Sequence, residues 1–334
     1  MLEPPDITTA VLLERVRDAY GLPVEQATFL PVGNDSAAWA YRLDGDDSSW
    51  FLKVLGRRVD PGTIAAPRFL ANHGVQHLLP PVSTVAGGPA DDGNPFTLVV
   101  FPFFDGRPGG EVGLSQEMRT ELGRLLRKIH DTPADAALAA QMRRERFHVR
   151  DASYLDAALA EMARVDADED VGRAFASVWR HHQRAIEHAL CRARALATEA
   201  ASSSPRSVIC HADFHAWNVL IAPDGEYVVI DWDETLLAPR ERDLMFVSGN
   251  VADLDPDGTD FSAGYGPVDA DRTLLAYYRY DWVLQEVADC HRRVFDRTLG
   301  HRTRTDAVRA FEELFGPDDV VQAAHDADER IEAG

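Results

Sequence analysis

The stretch at 209–234, ICHADFHAWNVLIAPDGEYVVIDWDE, constrains this chain more than any other. Two short apolar runs, 218–222 and 227–231, flank the turn sequence Pro223-Asp-Gly-Glu226, which predicts a strand, a tight turn and a return strand. A hairpin of this kind brings Asp231 back beside Asn218. Asp213 stands five positions before Asn218, and Asn218 stands thirteen before Asp231. One acid, one amide and a second acid are therefore expected in one place.

That trio suits phosphoryl transfer, a reaction in which the protein contributes positioning and charge neutralisation and little covalent chemistry. Asp213 is expected to act as the base that accepts a substrate hydroxyl proton. Asn218 and Asp231 are expected as Mg²⁺ ligands, since magnesium takes oxygen donors, usually one or two carboxylates with phosphates and water. Asp233 has two readings, a helper of metal or substrate and an exposed acid without a direct role. An Asp-x-x-x-x-Asn spacing alone arises by chance in most chains of this size. The hairpin and the following Asp231-Trp-Asp233 give it its weight. His211 and His215 have the spacing of a helical zinc pair, but the Glu of that motif and a third ligand are missing. His211 is expected to brace the loop backbone, and His215 either to do the same or to approach a phosphate.

Upstream, a helix is expected at 9–19, strands at 27–32, 37–43, 50–55, 82–86 and 97–101, and a helix at 61–72 interrupted by Pro67. From Leu114 onward the periodicity is helical, at 114–130, 154–162, 171–198, 243–248 and 274–299. The reading is an α+β chain with a small antiparallel β-rich N-lobe, a larger α-helical C-lobe and a junction at 101–107. The expected division is 1–102 for nucleotide and 103–334 for catalysis and substrate.

Composition narrows the partners. With 34 basic and 55 acidic residues the net charge is −21, which argues against nucleic acid. An acidic surface can draw in a cationic small molecule, although a merely solvated surface accounts for the charge equally well. No apolar run approaches the roughly 20 residues of a membrane span, and the first residues lack signal-peptide character. Cys191, Cys210 and Cys290 form no disulfide framework, so the cytoplasm is the expected location.

The motifs His211-Ala-Asp213-Phe-His215-Ala-Trp-Asn218, Asp231-Trp-Asp233 and Pro239-Arg-Glu-Arg-Asp243-Leu resemble those of the aminoglycoside phosphotransferases, within the wider group that includes the choline kinases. The resemblance covers nearly the whole chain and implies a protein-kinase-like fold, with ATP and Mg²⁺ as cofactors. Within the family, the length and the Tyr277-Tyr-Arg-Tyr280 helix look most similar to the spectinomycin phosphotransferases. It implies that Lys53, the lone lysine of an apolar strand, meets the α- and β-phosphates of ATP. Its usual acidic partner on the next helix is not evident, since 57–72 offers only Asp60. Asn34 and Ser36, in Gly33-Asn-Asp-Ser36, sit where a phosphate-covering loop belongs, though a plain hairpin turn fits as well. The hinge falls at 99–104, with Phe101 or Phe103 lining the adenine pocket or simply filling core. Asp243 is implied to brace the catalytic loop, and Trp217, Glu234, Glu241 and the 274–299 helix to meet substrate.

The function expected is ATP- and Mg²⁺-dependent phosphorylation of a hydroxyl on a small cationic aminocyclitol or aminoglycoside, spectinomycin first, by a monomer or homodimer. The alternatives are a metabolic kinase of choline, a sugar or another alcohol, and a catalytically silent nucleotide-binding module.

Overall fold

The computed structural model of the chain describes residues 4–33, 37–162, 169–247, 254–255, 258–316 and 319–332. Contacts divide it into two units, each made from two stretches of chain: Met1–Arg144 with Val208–Leu237, and Glu145–Ser207 with Ala238–Gly334. The division expected at 102/103 concerns ligand roles and is a different partition.

In the first unit, α1 (Thr9–Tyr20) begins where the Thr8 hydroxyl accepts the Val11 N–H and ends at Gly21, whose φ of 66° only glycine adopts without strain. Four strands follow the helix as an antiparallel meander in sequence order: β1 (Gln26–Leu30), β2 (Ala38–Asp44), β3 (Ser49–Leu55) and β4 (Thr97–Pro102). Their period of two sorts the side chains onto two faces. Tyr41, Leu43, Leu52, Val54, Leu98 and Val100 form one core with Leu12, Val16 and Tyr20 of α1. The opposite face carries Ala38, Leu55 and Val99, with Ile64 and Phe101 against them. Lys53 pairs with Ala40 and Val99 across the strands and so stands on this second face.

Between β3 and β4 lies α2 (Pro61–Asn72), capped by the Asp60 carboxylate, which accepts the Gly62 N–H at 3.0 Å. The expected interruption at Pro67 does not occur. The helix runs through it, and Pro67 is buried with Ala66 and Leu70, so packing offsets the hydrogen bond that proline cannot donate. Nor is there a strand at 82–86. Pro80 and Pro81 remove the donors that would start one. Val82 gives a single bond to the Val100 carbonyl at 2.7 Å before the chain turns, with Thr84 N–H donating to Gly88.

The first stretch continues through β5 (Arg107–Pro108), α3 (Gly109–Val112), α4 (Gln116–Asp131) and α5 (Ala136–Gln141). The second supplies β6 (Val208–Cys210), a 3-10 turn at Ala216–Asn218, β7 (Val219–Ile221), β8 (Tyr227–Val229) and β9 (Leu236–Ala238). The hairpin expected from sequence is β7–β8, with Val219 opposite Val229 and Ile221 opposite Tyr227.

The second unit is helical: α6 (Ala152–Met162), α7 (Asp170–Ser203), α8 (Glu241–Leu244), α9 (Thr259–Tyr265), α10 (Arg272–Phe295), α11 (His301–Glu313) and α12 (Val320–Glu332). The helix expected at 243–248 is α8, which begins two residues earlier, and Ser248 lies outside the described residues. At the centre α10 packs on α6, α7, α8, α11 and α12. An aromatic cluster of Phe175 and Trp179 from α7, His291 and Phe295 from α10 and Phe311 from α11 fills the space between three of them. The sequence reading contained neither α11 nor α12, whose charged faces hide short apolar stripes.

Candidate active site

The expected trio lies in the first unit, and the hairpin positions it. The Ile230 N–H donates to the Asn218 carbonyl at 2.9 Å, so the strand leading to Asp231 is tied to the end of the 3-10 turn that carries Asn218. Asn218 is 8% exposed, and its amide nitrogen donates both to the Asp213 carbonyl at 2.9 Å and to the Asp213 carboxylate at 2.8 Å. His215 Nε2 lies 3.2 Å from the other oxygen of that carboxylate. Asp213 is therefore held from two sides while keeping part of its surface open.

His211 links the two halves of the trio. It is fully buried, with its ring against Phe214 and Trp232. The Asp213 N–H donates to its Nδ1 at 3.2 Å, so Nδ1 is the acceptor. The proton then belongs on Nε2, which lies 2.9 Å from the Ile230 carbonyl and donates to it. One neutral imidazole thus connects the residue carrying the base to the residue before Asp231, the bracing role expected of it.

Asp231 has a φ of 60°, in the left-handed region, which costs a residue other than glycine roughly 1–2 kcal/mol. Non-glycine residues persist there only where surroundings over-determine them. Here the surroundings are the Ile230 bonds on one side and Arg143 on the other, which donates to the Asp233 carbonyl at 2.8 Å. The turn presents both carboxylates to the sheet. Lys53 Nζ lies 3.0 Å from Asp231 and 2.9 Å from Asp233. Burial works against the ammonium charge, but the two carboxylates outweigh it and raise its pKa above the ordinary lysine value. Arg57 also reaches Asp233, at 3.2 Å.

The acid sought for Lys53 near α2 is elsewhere. Asp60 caps that helix and lies 3.2 Å from Arg143, so it belongs to the frame of the Asp233 turn. Asn34 and Ser36 lie outside the described residues. Phe101 is on the Lys53 face, cross-strand from Phe51 with ring centroids 6.3 Å apart. Phe103 lies under the Arg42 guanidinium, 4.4 Å from its ring centre. Trp217 is 53% exposed. Its indole rests on Gly110, where any Cβ would come within 2.5 Å of the ring. Glu234 lies 3.7 Å from Arg143. In the second unit, Glu241 is buried and accepts the Asp271 N–H at 3.2 Å, and Asp243 is fully buried.

Sequence reasoning missed Arg57, Arg143, Gly110 and the small residues Ala38 and Ala40, which leave the sheet face around Lys53 low. The Gly109-Gly110 pair was a readable signal. The two arginines were not, because only tertiary contacts distinguish them from surface charge.

The donor set of Asp231 and the Asn218 amide oxygen is all hard oxygen, and one carboxylate with one neutral oxygen fits a magnesium ion that also keeps phosphate and water ligands. The model of the phosphotransferase enzyme family matches residues 28–278, more than half of the chain. The chain belongs to that family. The crystal structure of the spectinomycin phosphotransferase APH(9)-Ia in complex with ADP and spectinomycin is similar to this phosphotransferase over 97% of this chain and 100% of that one, at 27% identity and a TM-score of 0.87. The AMP-bound complex of APH(9)-Ia gives 96% and 98% coverage, 27% identity and a TM-score of 0.81. An aminoglycoside phosphotransferase from Alicyclobacillus acidocaldarius, at 16% identity and a TM-score of 0.59 over 99% of this chain and 98% of that one, shares the fold. That fold is protein-kinase-like, with an antiparallel N-lobe sheet, of four strands where five were expected, and many helices. No curated protein sequence matched significantly.

Proposed function

We propose that this phosphotransferase transfers the γ-phosphoryl group of ATP to a hydroxyl of a cationic aminocyclitol or aminoglycoside, with spectinomycin as the leading acceptor. One observation carries the chemistry: a strand lysine lies 3.0 Å from Asp231, at the end of a hairpin that starts at Asn218, whose amide donates to Asp213. The likeness to APH(9)-Ia over nearly the full length of both chains supports the acceptor.

In this reading Asp213 orients the acceptor hydroxyl and takes its proton as the oxygen bonds to the γ-phosphorus. The bond between that phosphorus and the β–γ bridging oxygen breaks, and its electron pair leaves with ADP. His215 and the Asn218 amide hold the Asp213 carboxylate in place. Asn218 and Asp231 would hold Mg²⁺, which when bound neutralises phosphate charge. Lys53 exchanges part of its carboxylate contact for the nucleotide phosphates, and the low face of Ala38, Ala40 and Val99 beside Phe101 receives the base. Asn34 and Ser36 stay candidates for the phosphates, and Phe103 for the hinge. Trp217 offers a ring face on which a cationic acceptor can rest. Residues 1–102 then serve mainly the nucleotide and 103–334 catalysis and acceptor. None of the three cysteines is in a disulfide, as suits an enzyme of a reducing cytoplasm, monomeric or homodimeric.

The test is ADP release by the purified full chain over a panel of spectinomycin, streptomycin, choline, ethanolamine and aminopropanol, with Asp213→Asn alongside. We expect Mg²⁺-dependent turnover of spectinomycin and a product carrying one added phosphoryl group. Turnover of choline or ethanolamine without spectinomycin would make this a metabolic kinase. Nucleotide binding with no turnover on any acceptor, equal in wild type and Asp213→Asn, would make it a silent binding module.

A further inference from the structure

Arg143 joins three parts of the first unit. Its Nη2 donates to the Asp233 carbonyl at 2.8 Å. Its own carbonyl accepts the Leu237 N–H at 2.8 Å, and the next residue, Arg144, forms a parallel bridge with Leu237. One residue thus grips the stretch 233–237 at both ends. Its Nε lies 3.2 Å from the Asp60 carboxylate. The other oxygen of that carboxylate accepts the Gly62 N–H and caps α2.

Close backbone packing stiffens this frame. A Cβ on Gly62 would come within 2.8 Å of the Gln141 carbonyl oxygen and the Met142 Cα, so the first turn of α2 lies directly on the chain that leads from α5 to Arg143. Within the Asp231 turn, the Thr235 N–H donates to the Trp232 carbonyl at 3.1 Å, and the Trp232 ring packs on His211. The Asp233 carboxylate faces Lys53 and Arg57. Arg143 takes the main chain of Asp233 instead, two residues beyond the left-handed φ of Asp231. A non-glycine residue in that region relaxes toward the ordinary ones once its surroundings loosen. Relaxation at Asp231 would carry its carboxylate out of place.

We propose that Arg143 is a positioning residue for the metal. With Asp60 behind it, Arg143 fixes the Asp231–Asp233 turn so that the Asp231 carboxylate is preset for Mg²⁺. The inference rests on the reading of Asn218 and Asp231 as the pair that holds the metal. It also gives Asp60, the only acid of 57–72, a task. Helix α2 acts on the metal turn through Asp60 and Arg143, where its acid was expected to meet Lys53.

Calorimetric titration of ADP into the full chain, once with Mg²⁺ and once with EDTA, reads the metal's share of nucleotide binding without turnover. In EDTA, Arg143→Met should bind ADP as wild type does. With Mg²⁺ it should bind about ten-fold more weakly than wild type, the lower end of what the outer partners of a metal ligand contribute. Loss of a positive charge by itself would tighten metal binding, so weaker binding reports lost geometry. Asp60→Asn keeps a helix cap and should keep the urea midpoint while losing part of the same Mg²⁺ effect, a measurement that stands alone if Arg143→Met does not fold. In the Arg143→Met background Asp60→Asn should lose nothing more, because Asp60 acts through Arg143. A through-space effect of its charge would persist there. ADP binding weakened equally with and without Mg²⁺ in Arg143→Met, an unchanged Mg²⁺ effect in either variant, or a full Asp60→Asn effect in the double variant each overturns the proposal. A wild type that binds ADP equally well in Mg²⁺ and in EDTA overturns the metal reading itself, and the proposal with it.

Discussion

Three side chains test the catalytic stretch one at a time. Asp213→Asn should lower kcat by roughly 10²–10⁴, the usual contribution of a positioned base, while leaving the ATP KM unchanged in steady-state kinetics. Wild-type turnover would remove Asp213 from its role. Lys53→Met has the opposite signature. It removes a charge-assisted contact worth about 1.5–3 kcal/mol, so the ATP KM should rise roughly ten- to hundred-fold, and an unchanged KM would leave Lys53 as a partner of Asp231 and Asp233 only. His211→Phe keeps an aromatic ring but strands the Asp213 N–H and the Ile230 carbonyl in a buried position. Two unsatisfied groups cost roughly 2–6 kcal/mol together, readable as a lower midpoint in urea. Spacing read together with the hairpin and Asp231-Trp-Asp233 indicated Asp213, Asn218 and Asp231, because residue type and a local turn suffice to suggest them. It could not reveal that Asp233 shares Lys53 with Asp231, or that Asp60 is taken by a helix cap and Arg143.

At the scale of elements, helix α10 carries a pH-dependent load. His291 is buried among Phe175, Trp179 and Phe295, and Tyr154 meets its Nδ1 at 2.7 Å. Burial first, and Arg292 second, push its pKa down from the ordinary 6.5 to about 4. Below pH 6.5 the unfolded chain binds a proton that the folded chain refuses until about pH 4, so stability falls as pH falls through that window, by roughly 3 kcal/mol across all of it. His182 and His325 are also pushed down, chiefly by burial, and act with the same sign. Denaturant midpoints from pH 7 to pH 4.5 should fall for wild type and fall less for His291→Leu. Parallel slopes would exclude His291 as the source. The long helices α4, α7 and α10 were legible because their apolar stripes repeat over many turns. The run at 82–86 misled because its composition is strand-like, whereas Pro80, Pro81 and the Thr84 turn deny it a ladder.

Across the whole molecule the chain passes from the first unit to the second, back and across again, so neither unit is contiguous in sequence. The net charge of −21 acts at this scale too. For a cationic acceptor, kcat/KM should fall several-fold between about 20 and about 300 mM salt, as screening shortens the Debye length. A flat salt profile would leave the acidic surface a solvated one. The sequence by itself determined the hairpin, its acid–amide–acid spacing and the sheet-then-helix order, because side-chain period, turn residues and helix periodicity act over a few residues. Only the tertiary structure decided which carboxylates meet Lys53, 178 residues away in the case of Asp231. Such pairings depend on where the whole chain closes on itself, and no local preference encodes that.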